Sequence, residues 1–191
     1  MRKDLKTAFF VGFLSSIVWI PVLWNLSIYL RGYLWVLLII VPIVFALGLY
    51  ISSILFYRTK LFYLFAKYII IGFLSAGIDF AIFNLFIYLT GIELGLEISL
   101  FKTVSFSLAM LNSYNWNRIW TFEFAEHKFP HFVAVTVVGL AVNVGLTSLI
   151  INFIPPLFGF TQLAWNNLAA TAAIIANIIL NFTGYKIIVF K

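Results

Sequence analysis

"FAKYIIIGFLSAGIDFAIFNLFIYLTG", residues 65–91, is an apolar run broken by a single acidic residue, Asp79. A helix needs about 20 mainly apolar residues to cross a bilayer. This stretch supplies them before the Thr90-Gly91 break. A carboxylate at the bilayer centre costs roughly 2.5–3.5 kcal/mol on insertion scales, so an intramembrane aspartate calls for a function or a partner. At about 1.5 Å of rise per residue, Asp79 lies about 16 Å from the Thr90 end of such a helix.

The rest of the chain extends this reading. Of its 191 residues, 64% are hydrophobic and 9% charged. A soluble domain carries about 25% charged residues, so this chain cannot cover a water-facing surface. Six segments are long and apolar enough to span, at about 7–30, 33–57, 65–89, 98–119, 131–154 and 163–188. The expected fold is all-α, a polytopic membrane protein with six transmembrane helices. Arg31-Gly32 is expected to form a tight turn and Arg58 to Lys60 a basic loop. "TGIELGLE" (90–97), residues 120–130 and "PPLFG" (155–159) supply the other breaks. Pro21 and Pro42 fall inside helices, where a membrane tolerates them. "MRKDLK" resembles the start of a signal peptide, but the apolar run continues to Leu30 and no small-x-small site follows. The segment is expected to be a retained span.

Charge placement sets the expected orientation. With the N-terminus inside, Arg2, Lys3, Lys6, Arg58, Lys60, Lys67, Arg118, Lys128, Lys186 and Lys191 are cytoplasmic, and Arg31 and Lys102 are outside. That bias predicts both termini in the cytoplasm of a cell-membrane protein. The net charge of +6 then reports topology and anionic lipid headgroups, not nucleic acid. With no cysteine, disulfides and thiol chemistry are excluded. His127 and His131 are spaced i,i+4, but Pro130 lies between them and no carboxylate completes a metal motif. They read as interfacial loop residues, and no metal or cofactor is expected.

"LNSYNWNRIWTFEF" (111–124) crowds Asn112, Asn115 and Asn117 beside Arg118, then alternates aromatics with charges. Amides are costly to bury without partners. Trp120, Phe122, Phe124 and Phe129 are expected to lie half buried in the inner headgroup layer, as a plain aromatic belt or as part of a headgroup-capturing loop. A weaker echo follows 68 positions later: Tyr114, Arg118, Ile119 and Phe122 of "SYNWNRIWTF" correspond to Phe182, Lys186, Ile187 and Phe190 of "NFTGYKIIVF". The last four helices therefore read as a bundle of two parallel two-helix repeats, and 1–61 as an additional hairpin before a domain over 62–191.

Each of those four helices carries one stripe of small and polar residues on an apolar body. The stripes are Gly72, Ser75, Ala76 and Asp79; Lys102, Ser105, Ala109, Asn112 and Trp116; Thr136, Gly139, Asn143 and Thr147; and Asn166, Ala170, Ala173, Asn177, Asn181 and Gly184. Close helix packing accounts for Ser75, Ser105, Thr136 and Thr147. Interhelical hydrogen bonds contribute only about 0.6 kcal/mol on average, so packing does not require so many asparagines. A wet space fits them better. Lys102 is read as the one cation in this polar core. Asp79 reads either as functional or as structural, in an ion pair with Lys102 or as a protonated hydrogen-bonding carboxyl.

These residues resemble GtrA-like membrane proteins. Residues 65–91 look like the family's opening helix, and "NWNRIWTF" and "NFTGYKIIVF" resemble the Asn-aromatic-basic-aromatic endings of its second and fourth helices. The resemblance covers about 62–191. Ser113 stands where the first ending usually has Asn, and the second ending lacks the tryptophan. The resemblance implies translocation of a polyprenyl-phosphate-linked monosaccharide for cell-envelope glycosylation, beside a membrane glycosyltransferase. In that scheme Arg118 and Lys186 hold the phosphate. Asn112, Asn115, Asn117, Asn177 and Asn181 exchange hydrogen bonds with sugar hydroxyls, and Asp79, Asn143 and Lys102 continue the polar track. Topology anchoring is the plain alternative for Arg118 and Lys186. A second copy of the chain is a candidate for helping to enclose the sugar. Two other functions fit the same residues: a non-transporting anchor for a glycosyltransferase, or a proton-coupled exporter with Asp79 as the coupling carboxylate. No nucleophile–base arrangement is evident, and the segment 120–130 is too short for a catalytic domain, so an enzyme is not expected.

Overall fold

The computed structural model describes residues 1–26, 31–55, 60–121 and 129–184. Among these the chain forms six α-helices: α1 (Arg2–Leu26), α2 (Leu37–Leu55), α3 (Lys60–Thr90), α4 (Leu96–Trp116), α5 (Phe129–Phe153) and α6 (Gln162–Gly184). No strand occurs among the described residues. Arg31 and Gly32, expected as a tight turn, instead open a 3-10 helix, Arg31–Val36, that leads into α2. A π-helical turn, Asn117–Thr121, continues α4.

Four stretches are long and apolar enough to cross a membrane, Arg2–Trp24, Arg31–Leu55, Phe62–Thr90 and Val133–Phe153. With the family assignment given below, they make this a multi-pass membrane protein. The helix α4, of 21 residues, is long enough, but Glu97, Lys102 and its amides lower its hydropathy. The helix α6 has 23 residues and is as apolar as α1.

By packing, the chain divides into two compact units, and α3 and α4 each contribute to both. The first joins Met1–Ala81 to Leu111–Phe124. Its core sets Ala8, Val11 and Leu49 of α1 and α2 with Ile70, Ile71 and Leu74 of α3, and with Trp120. Trp19 donates its indole N–H to the Phe73 carbonyl (3.1 Å), and a Cβ at Gly77 would overlap that ring. The N-terminal hairpin therefore shares its core with α3. The outer face of α2, with Ile39, Ile40, Ile43, Val44, Leu47 and Ile51, is exposed and apolar, as a lipid-facing helix requires.

An ion pair fastens one end of this unit. Lys67 is 1% exposed, and its Nζ lies 2.9 Å from Asp4 Oδ1. The same oxygen accepts from the Trp120 indole (2.9 Å), and Asp4 Oδ2 accepts from the Tyr63 hydroxyl (3.0 Å). Lys67 also donates to the Trp120 carbonyl (3.3 Å) and sits over the Tyr63 and Trp120 rings. Lys67, read from the sequence as one of the cytoplasmic charges, is thus a buried cation, as is Lys102. One expectation is corrected here. Trp120 is buried rather than half sunk among headgroups, because its N–H finds a carboxylate inside the fold. Phe122, Phe124 and the rest of 122–128 lie outside the described residues.

The second unit joins Ile82–Met110 to Ala125–Lys191. Gly91, at φ +69°, ends α3 and donates to the Ile87 carbonyl (2.8 Å) in a left-handed cap. Gly95, at φ +98°, donates its N–H to Asn152 Oδ1 (2.8 Å) and so ties the 91–95 connection to α5. Phe86 stacks on Phe101 across the α3–α4 turn.

Removing one member of a buried ion pair costs about 3–5 kcal/mol, because the other charge is stranded. Asp4→Asn should accordingly lower thermal stability in detergent markedly. Asp4→Asn combined with Lys67→Met should recover most of the loss. Equal stability of Asp4→Asn and the native chain would contradict the structural role of the pair.

Candidate functional site

In the first unit, polar residues collect where α4 gives way to the π-helical turn. A π turn inserts an extra residue and swings the following side chains round the axis. Here the distortion is held by side chains. Asn117 is buried, donates to Ser113 Oγ (3.1 Å) and accepts from the Thr121 hydroxyl (2.8 Å). Trp120 is fixed to Asp4 and Lys67. Arg118 and Ile119, between these anchors, are exposed. The ends of α1 and α3 that carry Arg2, Lys3, Lys6 and Lys67 meet this turn through the Asp4 contacts, so these four gather at the end that carries Arg118.

Above the turn, Asn112 donates to Ser75 Oγ (3.0 Å), joining two of the sequence-derived stripes. Asp79, on the α3 stripe, is 2% exposed, and Asn115 is exposed at the margin of its own stripe. Asn112 and Asn117 thus already hold protein partners. Lys186 and His127 fall outside the described residues, and with them most of the second motif copy; His131 is exposed in the first turn of α5.

In the second unit the stripes of α5 and α6 are buried, and Gly139 of α5 meets Asn177 and Asn181 of α6. Thr136, Gly139, Asn143 and Thr147 are buried on α5; Asn166, Ala170, Ala173, Asn177 and Asn181 are buried on α6. A Cβ at Gly139 would overlap Asn177 Oδ1 and press on Asn181 Oδ1, so both amide oxygens crowd the open flank of that glycine. Lys102 is fully buried on α4, with its Nζ over the Phe83 ring (5.3 Å).

The polar groups of this unit fall into two classes. Near the connections they satisfy one another. Asn84 and Asn167 exchange amide hydrogen bonds (2.9 and 3.0 Å), Asn166 donates to the Glu93 carbonyl (2.8 Å), Ser99 donates to Ser148 (2.7 Å), and Trp165 donates to the Ile154 carbonyl (2.8 Å). Further along α5 and α6 they do not. Among the described residues, five buried side-chain atoms have no protein partner: Asn143 Oδ1 and Nδ2, Thr147 Oγ1, Asn177 Oδ1 and Asn181 Oδ1. All belong to α5 and α6. A buried polar group left unsatisfied costs about 1–3 kcal/mol, so a native fold keeps such a cluster for a reason.

The sequence marked Asn143, Asn177 and Asn181 as candidates but assigned Thr147 to packing, and it passed over Asn84, Asn152 and Asn167. An amide looks the same in a sequence whether or not another amide meets it. Asp4 and Lys67, which hold the Arg118 turn from either side, carried no motif; a lone acid among the bases of "MRKDLK" was the signal available.

A family model for the GtrA/DPMS transmembrane domain matches residues 67–190. Most of the chain is covered, so the chain belongs to that family, as the intramembrane aspartate and the Asn-aromatic-basic endings indicated. The match begins at Lys67, the residue whose charge is met by Asp4 from outside the matched stretch. Comparison with curated proteins and with solved structures gave no match.

The two classes of polar residue should respond differently to substitution. Asn84→Leu strands Asn167 Oδ1, while the Asn167 amide still donates to the Leu163 carbonyl, and should cost about 1–3 kcal/mol. Thr147→Val strands nothing and should change stability by less than about 0.5 kcal/mol or raise it. Thermal unfolding in one detergent compares them; a larger loss in Thr147→Val would show that its hydroxyl holds a structural bond.

Proposed function

We propose that this protein moves a polyprenyl-phosphate-linked monosaccharide across the cytoplasmic membrane for envelope glycosylation. The observation that carries this reading is the set of partnerless amide and hydroxyl atoms on α5 and α6, inside the family-matched stretch. A saccharide headgroup is dense in hydroxyls that donate and accept, which is the chemistry those atoms lack partners for. The lipid tail needs nothing from the protein beyond an apolar exterior, which the helices provide.

In this proposal all six helices span, with both termini cytoplasmic. The basic end of the first unit then faces the leaflet where the sugar is loaded. Arg118, exposed on an anchored turn, takes the phosphate through charge-assisted hydrogen bonds, and Lys186 is its counterpart at the second motif copy. Asn143, Asn177 and Asn181 meet the sugar. Asn115 is free to approach a headgroup, whereas Asn112 and Asn117 act by fixing the frame. Asp79 and Lys102 are reserved for the polar track, to which their burial in otherwise apolar spans is suited. The N-terminal hairpin, 1–61, supports the Arg118 turn through Asp4. The protein transports without chemical change to the substrate, and its partners are the membrane glycosyltransferases that load and use the carrier. A second copy of the chain is a further candidate partner.

The test is leaflet accessibility of a lipid-linked hexose in proteoliposomes containing the full chain. The native protein should equilibrate the lipid between leaflets. Arg118→Ala should slow this by about tenfold or more, the scale of one lost charge-assisted bond, with membrane orientation unchanged. Full activity in Arg118→Ala would remove the phosphate role. Normal transport with scrambled orientation would make Arg118 a topology anchor. No translocation by the native chain, with stimulation of a co-reconstituted glycosyltransferase, would establish an accessory subunit instead.

A further inference from the structure

Val133–Phe153 is long and apolar enough to cross a membrane, so the connection that follows it either stands in water or rests in the bilayer surface. Its composition favours the surface. No aspartate, glutamate, lysine or arginine occurs between Lys128 and Lys186, so the connection is as uncharged as the helices it joins. The α3–α4 connection lies at the same end of the unit. Its Gly95 N–H donates to Asn152 Oδ1 and its Glu93 carbonyl accepts from Asn166. That connection carries Glu93, with Glu97 in the first turn of α4. One end of one unit thus pairs an acidic connection with an uncharged one.

The uncharged connection is strained so as to expose a ring. Phe158 has φ +56° and Gly159 φ +75°, and the Phe160 N–H donates to the Leu157 carbonyl (3.2 Å). Two consecutive left-handed residues closed by such a bond follow the pattern of a type I′ turn, which asparagine and glycine fill most readily. A bulky phenylalanine is strained there. No contact within the fold offsets that strain, because Phe158 is 92% exposed. Phe153, Leu157 and Phe160 are exposed around it.

The flanks are fitted for surroundings poor in water. Pro155 and Pro156 carry no N–H. The Ile154 carbonyl, at the end of α5, accepts from the Trp165 indole (2.8 Å). The Thr161 hydroxyl caps α6 by accepting from the Ala164 N–H (3.3 Å). Irregular backbone exposed to lipid does not occur within the hydrocarbon core. The boundary between headgroups and acyl chains therefore suits this turn, and aromatic side chains favour that depth.

We propose that residues 157–160 form a membrane anchor, in which the left-handed backbone drives Phe158 into the apolar side of the bilayer interface. The partner of this surface is lipid. Taking a phenylalanine ring out of water gains free energy of the size of the strain it offsets. The anchor sets the depth of this end of α5 and α6, whatever the protein transports.

The native chain has no cysteine, so one spin label can be placed at Leu157→Cys and, in a second protein, at Glu97→Cys, exposed at the same end of the unit. Each full chain is reconstituted in phosphatidylcholine–phosphatidylglycerol vesicles. Collisions of the label with oxygen, which concentrates in lipid, are compared with those of a water-soluble nickel chelate. The label at 157 should favour oxygen and the label at 97 the chelate. Phe158→Asp beside the label at 157 should lower the ratio of inserted to exposed turn by about tenfold or more. Phe158→Trp should preserve it. Phe158→Asn suits the turn, so it should lower the ratio while thermal stability in detergent holds or rises; lost folding does not mimic that result. If the label at 157 meets the chelate as readily as the label at 97, the turn stands in water and the inference is overturned. Exclusion of both reagents would overturn it too, by placing a protein surface over the turn. An unchanged ratio in Phe158→Asp would show that the ring anchors nothing.

Discussion

Hydrocarbon offers no hydrogen-bond partner. Every polar side chain in a spanning helix must therefore find one inside the protein, through water or from a ligand. That constraint organises this chain. It gathers the small and polar residues of each helix onto one buried stripe and leaves the opposite faces to lipid. It also ranks the buried groups. An ion pair held by four side chains, Asp4, Lys67, Tyr63 and Trp120, and a reciprocal amide pair, Asn84 with Asn167, are complete in themselves and hold the fold. Asn143, Thr147, Asn177 and Asn181 are incomplete, and incompleteness in such a medium is the mark of a group kept for something else.

Under the proposed function each unit meets a different part of a headgroup. In the first, a π-helical turn presents Arg118 outward while its neighbours are pinned by bonds to Ser113, Thr121 and Asp4. A guanidinium on a fixed turn loses less freedom on meeting a phosphate than one on a mobile loop, so anchoring favours the proposed capture. In the second, small residues and neutral amides lie buried on α5 and α6. Residues outside the family-matched stretch take part: the hairpin contributes Asp4 to the turn and Trp19 to the flank of Gly77 on α3.

Much of this was legible in the sequence. Six helices lie on the six expected apolar segments, and most described residues of the four stripes are buried. Membership of the GtrA/DPMS family was legible from Asp79 and the two endings. What escaped was whatever depends on partners distant in sequence. Lys67 reads as one more headgroup lysine until Asp4, 63 positions earlier, is found against it. Trp120 reads as a belt residue for the same reason. Asn177 and Asn167 are equivalent in sequence, and only packing shows that one has its amide answered and the other has not. The polar residues of α4, with Glu97 and Lys102, also weaken its membrane signal.

The most direct measurement exploits the absence of cysteine from the native chain. A single cysteine is placed at Ala173, fully buried on the α6 stripe, and separately at Ile175, two residues on and exposed on the apolar face. Both are treated with a small membrane-impermeant thiol reagent in proteoliposomes. If the stripe opens to an aqueous headgroup, Ala173→Cys reacts faster than Ile175→Cys, and a polyprenyl-phosphate-linked hexose changes that rate. If Ala173→Cys is as inert as Ile175→Cys with and without the lipid-linked sugar, the stripe is a sealed helix contact and the polar atoms within it serve no substrate.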